Sequence, residues 1–103
     1  MEEAVIDRIR SILADLYGER LEGLVLHGSR ARGDFDEDSD IDLLVLLEGP
    51  VDFGVELRAI VDALYEVQLE LPVAIEALPA SQESFHEEIW PLYRTASAEG
   101  IRL

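Results

Sequence analysis

The sequence predicts an α/β domain in which a small sheet is covered by helices. Two long segments carry apolar side chains at the 3.6-residue spacing of amphipathic helices, and three short runs rich in Leu, Val and Ile are bounded by Gly or Pro. Their order, helix, strand, strand, helix, strand, helix, is the alternation expected of an α/β class. No repeat, low-complexity tract or linker interrupts residues 1–103, which read as one domain.

Residues Glu2 to Tyr17 place Val5, Ile9, Ile12, Leu13 and Leu16 on one helical face, with Glu2 and Glu3 at the positive end and Gly18 as the stop. Gly23 to His27 (GLVLH) reads as a buried strand ended by Gly28. Ile41 to Leu47 (IDLLVLL) reads as a second, closed by the turn signal Gly49-Pro50. Val55 to Leu69 brings Leu57, Ile60, Val61, Leu64 and Gln68 near one stripe, which predicts a second helix punctuated by Pro72. Val73 to Leu78 (VAIEAL) is the third strand. Ser81 and Ser84 are alternative caps for a third helix holding Phe85, Ile89, Leu92 and Tyr93, in which Pro91 starts a new segment or a kink. The tail from Gly100 to Leu103 is expected to add a short edge strand.

Composition excludes several functions. The chain has 8 Lys+Arg against 23 Asp+Glu, a formal charge of −15, so its field repels phosphate backbones and sequence-independent nucleic-acid binding is not expected. With no cysteine there are no disulfides, thiolate metal sites or cysteine nucleophiles, and His27 and His86 are too few for a three-histidine zinc site. No apolar run approaches the ~20 residues of a membrane helix, and the amino terminus is acidic where a signal peptide is basic. A cytoplasmic protein is the expectation. All eight cations are Arg, a bias that suits a GC-rich or heat-loving source.

Chemistry concentrates between Gly28 and Val45, GSRARGDFDEDSDIDLLV. Residues two apart on a strand share a face, so Asp40 and Asp42 are expected side by side while Ile41 and Leu43 enter the core. Paired carboxylates suit Mg²⁺, which takes oxygen ligands and leaves positions for water and substrate phosphates. Upstream, Gly28 allows a backbone to approach a phosphate closely, and the turn after it directs Ser29 and free N–H groups toward phosphate oxygens.

Gly28-Ser29 followed at short distance by Asp40-x-Asp42, with Arg32-Gly33 between them and Ser39 before the first Asp, resembles the nucleotidyltransferase superfamily related to DNA polymerase β. In size and layout the chain is similar to the minimal nucleotidyltransferases, often encoded beside HEPN proteins. That resemblance implies a mixed sheet with flanking helices. It also implies triphosphate binding by Gly28, Ser29 and Arg32, and two Mg²⁺ ions on Asp40 and Asp42. The reaction would move a nucleoside monophosphate from an NTP, AMP from ATP, to a hydroxyl with release of pyrophosphate. The family's further catalytic acid is expected near Ala74, where this chain has none. Glu76 shares that strand face one repeat, about 6.6 Å, further along and is the candidate replacement.

Asp34, Asp36 and Asp38 read as a solvated loop. An EF-hand is excluded because Ser39 stands where its Gly is required and Val45 where its Glu is. There is no Walker A loop and no dinucleotide fingerprint. Ser29 with His27 lacks a third orienting group for nucleophilic catalysis. Arg30 and Arg32 either contact phosphate or neutralise adjacent acids. His86 reads as helix surface, and Trp90 with Tyr93 as packing. A chain of this length leaves no room for an acceptor-binding domain, so the acceptor is expected from a HEPN partner, as toxin to this antitoxin, or from a homo-oligomer. The alternative is a catalytically silent binding subunit.

Overall fold

The computed structural model describes residues 2–103, and its organising element is a strand buried on both faces. The elements are α1 (Glu2–Tyr17), a 3-10 turn (Gly18–Arg20), β1 (Leu21–His27), α2 (Ser29–Arg32), β2 (Ile41–Leu47), α3 (Phe53–Glu70), β3 (Ile75–Ser81), α4 (Gln82–His86), α5 (Pro91–Glu99) and β4 (Ile101–Arg102). The sheet order is β3-β2-β1-β4, with β2 parallel to β3 and antiparallel to β1, and β4 antiparallel to β1. This is the mixed sheet with flanking helices that the sequence led us to expect.

Alternation along the strands divides the core into two layers. Ile41, Leu43, Val45 and Leu47 of β2, with Leu24, Leu26 and Ala77, pack against Ile6, Ile9 and Leu13 of α1 and Ile60, Leu64 and Val67 of α3. The intervening residues Leu44 and Leu46, with Val25 and Ala80, meet Phe85 of α4 and Ala96 of α5. Leu43, Val45, Leu46 and Leu47 are fully buried. At about 1.5–3 kcal/mol for each such side chain, this strand contributes heavily to stability and resists any shift of register.

Several expectations require correction. β1 begins at Leu21, two residues before Gly23, and the segment after Gly28 forms the one-turn helix α2 where a turn was expected. β3 starts at Ile75 rather than Val73 and runs through the buried Pro79, tolerated because β3 is an edge strand that pairs on one side only. α3 begins at Phe53, where the Asp52 side chain accepts from the Val55 N–H at 3.3 Å. Its buried stripe is Ile60, Leu64 and Val67, an i, i+4, i+7 series, and Val61 lies outside it at 55% exposure. Leu16 on α1 is exposed, and so is Trp90 before α5, where packing was expected. Pro91 opens the separate helix α5, and Ser81 is the cap used, accepting from the Ser84 N–H at 3.0 Å. The side chain of Glu2, expected at the positive end of α1, lies outside the described residues.

Two polar side chains hold connections that the strands alone do not. Gln68, half-buried near the end of α3, donates to the Val73 carbonyl at 2.8 Å and accepts from the Ile75 N–H at 2.7 Å, and so ties down the entry to β3. Arg20 donates to the carbonyls of Glu48 (3.1 Å) and Pro50 (2.9 Å) and pairs with Glu56 at 2.9 Å. Tyr17 also donates to Glu56, and burial together with that carboxylate pushes its hydroxyl up to about 12. Replacing Gln68 with Ala removes both bonds and leaves a half-buried strand amide unpaired, so Gln68→Ala is expected to cost about 1–3 kcal/mol in chemical denaturation. A cost below experimental error would show that the α3–β3 connection is held by packing alone.

Candidate functional site

The site forms where β1 ends and β2 and β3 begin. In the sheet register His27 stands opposite Asp42 on one side, and Asp42 stands opposite Glu76 on the other. Cross-strand partners share a face, so these three side chains form a row across three strands. The row continues the layer of Val25, Leu44, Leu46 and Ala80, at the end where the surface becomes exposed. Glu76, two residues beyond Ala74, is therefore a direct lateral neighbour of Asp42.

The electrostatics of the row follow from this crowding. The protonated Glu76 carboxyl hydrogen-bonds Asp42, whose negative charge further disfavours its ionisation. Partial burial and Asp40 add to the effect, and His27 slightly opposes it, so Glu76 holds its proton above the ordinary carboxylate range. Burial pushes the His27 imidazole down, partly offset by Glu76, and its Nε2 is buried without a hydrogen-bond partner among the described residues.

Asp40 differs from its expected setting, because β2 begins one residue after it. Its carboxylate accepts from the Ala74 N–H at 3.3 Å, while the Ile41 N–H donates to the Ala74 carbonyl at 2.9 Å. Ala74 thus supplies backbone rather than an acid. Among the described residues no three Asp, Glu or His side chains are drawn together as a metal cage. The adjacent pair Asp42–Glu76, with Asp40 beside it, is still a donor set that suits Mg²⁺, which commonly takes one or two carboxylates and completes its shell with water and phosphate.

Gly28 makes the row possible. It has φ 73° and ψ −157°, and a β-carbon built there would collide with the Asp42 carboxylate. The glycine is needed first for its own side-chain layer, and its suitability beside a phosphate is a second consequence. Ser29 opens α2, whose turn closes by Ala31 and Arg32 N–H bonds to the Gly28 carbonyl, and the Ser29 hydroxyl has no partner among the described residues. Gly33, at φ 85°, ends the helix in the left-handed conformation.

The two arginines separate in role. Arg30 donates to the Ser39 carbonyl at 2.8 and 3.1 Å and to the Asp40 carbonyl at 3.2 Å, with its guanidinium 5.0 Å from the Phe35 ring centre. It fastens the acidic loop where that loop enters β2. Arg32 meets Asp34 at 3.3 Å and Glu99 at 3.7 Å on the surface. Exposed pairs of this kind contribute about 0–1 kcal/mol, too little to keep Arg32 from an incoming phosphate. Asp36 and Asp38 are exposed in the loop, as expected. The place of His27 in the row and the clamp made by Arg30 were not legible in the sequence, because both depend on strand register and loop closure.

A raised Glu76 pKa has a definite sign. The folded chain binds more protons than the unfolded one just above the ordinary Glu range, so without metal its stability falls as pH rises through that range. In chelator, Glu76→Gln is expected to melt higher than the wild type at neutral pH, with the difference shrinking on acidification. A wild type as stable as the variant at neutral pH would contradict the crowding.

Similarity to known proteins agrees with this geometry. The "Putative protein adenylyltransferase MJ0604" of Methanocaldococcus jannaschii is 36% identical over 100 residues, covering 96% of this chain and 94% of that protein. A second from that organism, "Putative protein adenylyltransferase MJ0141", is 36% identical over 44 residues, 43% of this chain and 44% of that protein. The crystal structure of a "putative nucleotidyltransferase" from Sulfolobus solfataricus shares the fold with a TM-score of 0.55 and 22% identity, covering 97% of this chain and 82% of that one. The nucleotidyltransferase domain pattern matches residues 6–103, and the chain belongs to that nucleotidyltransferase family.

Proposed function

We propose that the chain is a Mg²⁺-dependent adenylyltransferase that moves AMP from ATP to a hydroxyl of a protein acceptor. The observation that carries this reading is the adjacency of Asp42 and Glu76 across the parallel β2–β3 pair, with the Gly28-Ser29 turn closed against Asp42. The name of the relative similar over nearly the whole chain, a protein adenylyltransferase, supports a protein acceptor and an adenylyl donor.

In this mechanism the Gly28-Ser29 turn receives the triphosphate, with the Ser29 hydroxyl as donor and Arg32 within its surroundings as a bidentate partner. Mg²⁺, two ions by family resemblance, would be held by Asp40 and Asp42 and would supply the positive charge that a triphosphate needs beside these acids. The acceptor oxygen attacks the α-phosphorus, the bond from that phosphorus to the bridging oxygen breaks, and pyrophosphate leaves. Glu76 is the group suited to take the acceptor's proton, since its pKa is displaced toward neutrality. The acceptor fits a partner of the HEPN class, in an antitoxin role, better than a second copy carrying the same −15 charge. The alternative of a catalytically silent subunit rests on the missing acid at Ala74, and the register that sets Glu76 beside Asp42 weighs against it.

Labelled ATP, Mg²⁺ and a genomically adjacent HEPN protein provide the direct test. Label transfer to that protein is expected. No transfer together with no Mg²⁺-dependent ATP binding would overturn the proposal. Asp42→Asn is expected to abolish the thermal stabilisation by Mg²⁺ or Mn²⁺ and to reduce transfer by about 10²-fold or more, and equal metal binding in calorimetry would sink the assignment. Glu76→Gln should cut transfer comparably while ATP affinity stays within a few-fold, because its role is on the acceptor side. Gly28→Ala should lose metal and nucleotide binding together, since its β-carbon displaces Asp42. Retention of metal stabilisation in that variant would show that the close approach is dispensable.

A further inference from the structure

A groove of about 890 Å³ lies at the opposite end of β2 and β3 from the carboxylate row. Its walls are Val51 and Phe53 from the β2–α3 connection, Pro79 from β3, and Trp90 and Tyr93 at the start of α5. Phe53 is 51% exposed and Trp90 58% exposed, so two large rings face solvent at the same opening. Tyr93 is held by Phe85, with ring centres 6.0 Å apart, which makes that wall part of the core rather than a mobile surface.

The groove has one charged lining residue, Glu83. It continues through Gly49 and Glu83 into a second depression of about 400 Å³ whose wall has three glutamates, Glu22, Glu48 and Glu83, against one histidine, His86, and no arginine. None of these three carboxylates is paired with an arginine among the described residues. A trough rimmed by aromatic rings therefore opens into an acidic one, on a chain of net charge −15. A second copy would bring the same acids against each other, whereas a cationic segment meets complementary charge and is steered toward it.

We infer that this surface docks a basic protein segment, whose aromatic or aliphatic anchor enters the trough between Phe53 and Trp90 while its arginines or lysines lie against Glu22, Glu48 and Glu83. Aromatic side chains that rim a pocket supply most of the affinity in such contacts, and the surrounding charges set partner choice and the rate of encounter. The inference concerns the end of the sheet remote from the nucleotide site and does not depend on the reaction assigned there.

The chain's single tryptophan is Trp90, so its fluorescence reports directly on the groove. The full chain is titrated with a short peptide carrying a Leu-Phe pair followed by a run of arginines. A saturable shift in emission is expected, weakened by about tenfold in Phe53→Gln and in the Glu48→Arg, Glu83→Arg double variant, and weakened by added salt. These positions are exposed or at a helix start, and circular dichroism with Mg²⁺-ATP binding in the same variants establishes that fold and nucleotide site are unaffected. The inference is overturned by absence of a saturable shift, or by an equal response to peptides with glutamates for arginines or serines for the anchor. It is also overturned if emission shifts on concentrating the chain alone, which would make a second copy the occupant.

Discussion

The register of β2 governs the arrangement of everything around it. Both of its faces are apolar and both of its edges are paired, so it has one comfortable alignment. A slip of one residue would exchange its faces and drive the Asp42 carboxylate into the layer covered by α1 and α3. Burying an ionised carboxylate there would cost many times what a surface substitution does. The hydrophobic residues Leu43 to Leu47 therefore place a charged residue that they never contact chemically. Parallel pairing then sets Glu76 on one side of it, and antiparallel pairing sets His27 on the other. Gly28 follows from the same constraint, because no β-carbon fits after His27 while Asp42 occupies its position.

Such a row is unfavourable as it stands, and that is informative about what it can bind. Asp42 and Asp40 raise the Glu76 pKa, and the nearby arginines are engaged with Ser39, Asp40, Asp34 and Glu99. On a chain with net charge −15, a triphosphate is repelled unless cations accompany it. The repulsion that raises Glu76 in the free chain is the same interaction a divalent cation would reverse, so a cation bound there would act on folding stability through that one electrostatic origin.

Much of this was legible in the sequence where a local signal existed. The bounds of α1 and β2 follow from periodicity and from a continuous apolar run. The Gly28-Ser29 and Asp40-x-Asp42 pattern points to the candidate site segment from residue types alone. The start of α3 was misjudged because Phe53 is exposed and its cap, Asp52, lies just after the Gly49-Pro50 turn. β3 was placed too early because Val73 and Ala74 belong to the apolar run but are used by Gln68 and Asp40 as backbone partners. Glu76 could be assigned a strand face from its spacing, but its partner could not be known without the register. Trp90 was misread because a large aromatic in an amphipathic helix ordinarily packs, whereas here Pro91 begins a new helix and leaves the ring at its entrance.

The two ends of the sheet are physically joined by α5, which starts at the groove with Trp90 and Tyr93 and ends at Glu99, beside Arg32. That link is weak as a conductor. The Arg32–Glu99 contact is an exposed pair at 3.7 Å, in the class that contributes at most about 1 kcal/mol, and Arg32 has Asp34 as a second partner. The stronger tie, Gly100 packed without a side chain against Ala96, Val25 and Leu26, belongs to the close-packed core. From Asp42 to Leu47 the strand advances about 16 Å. Sites that far apart, sharing no side chain and no two-state element, contribute additively to binding. A partner held at the groove would therefore raise the local concentration of an acceptor at the carboxylate row without altering how that row is built.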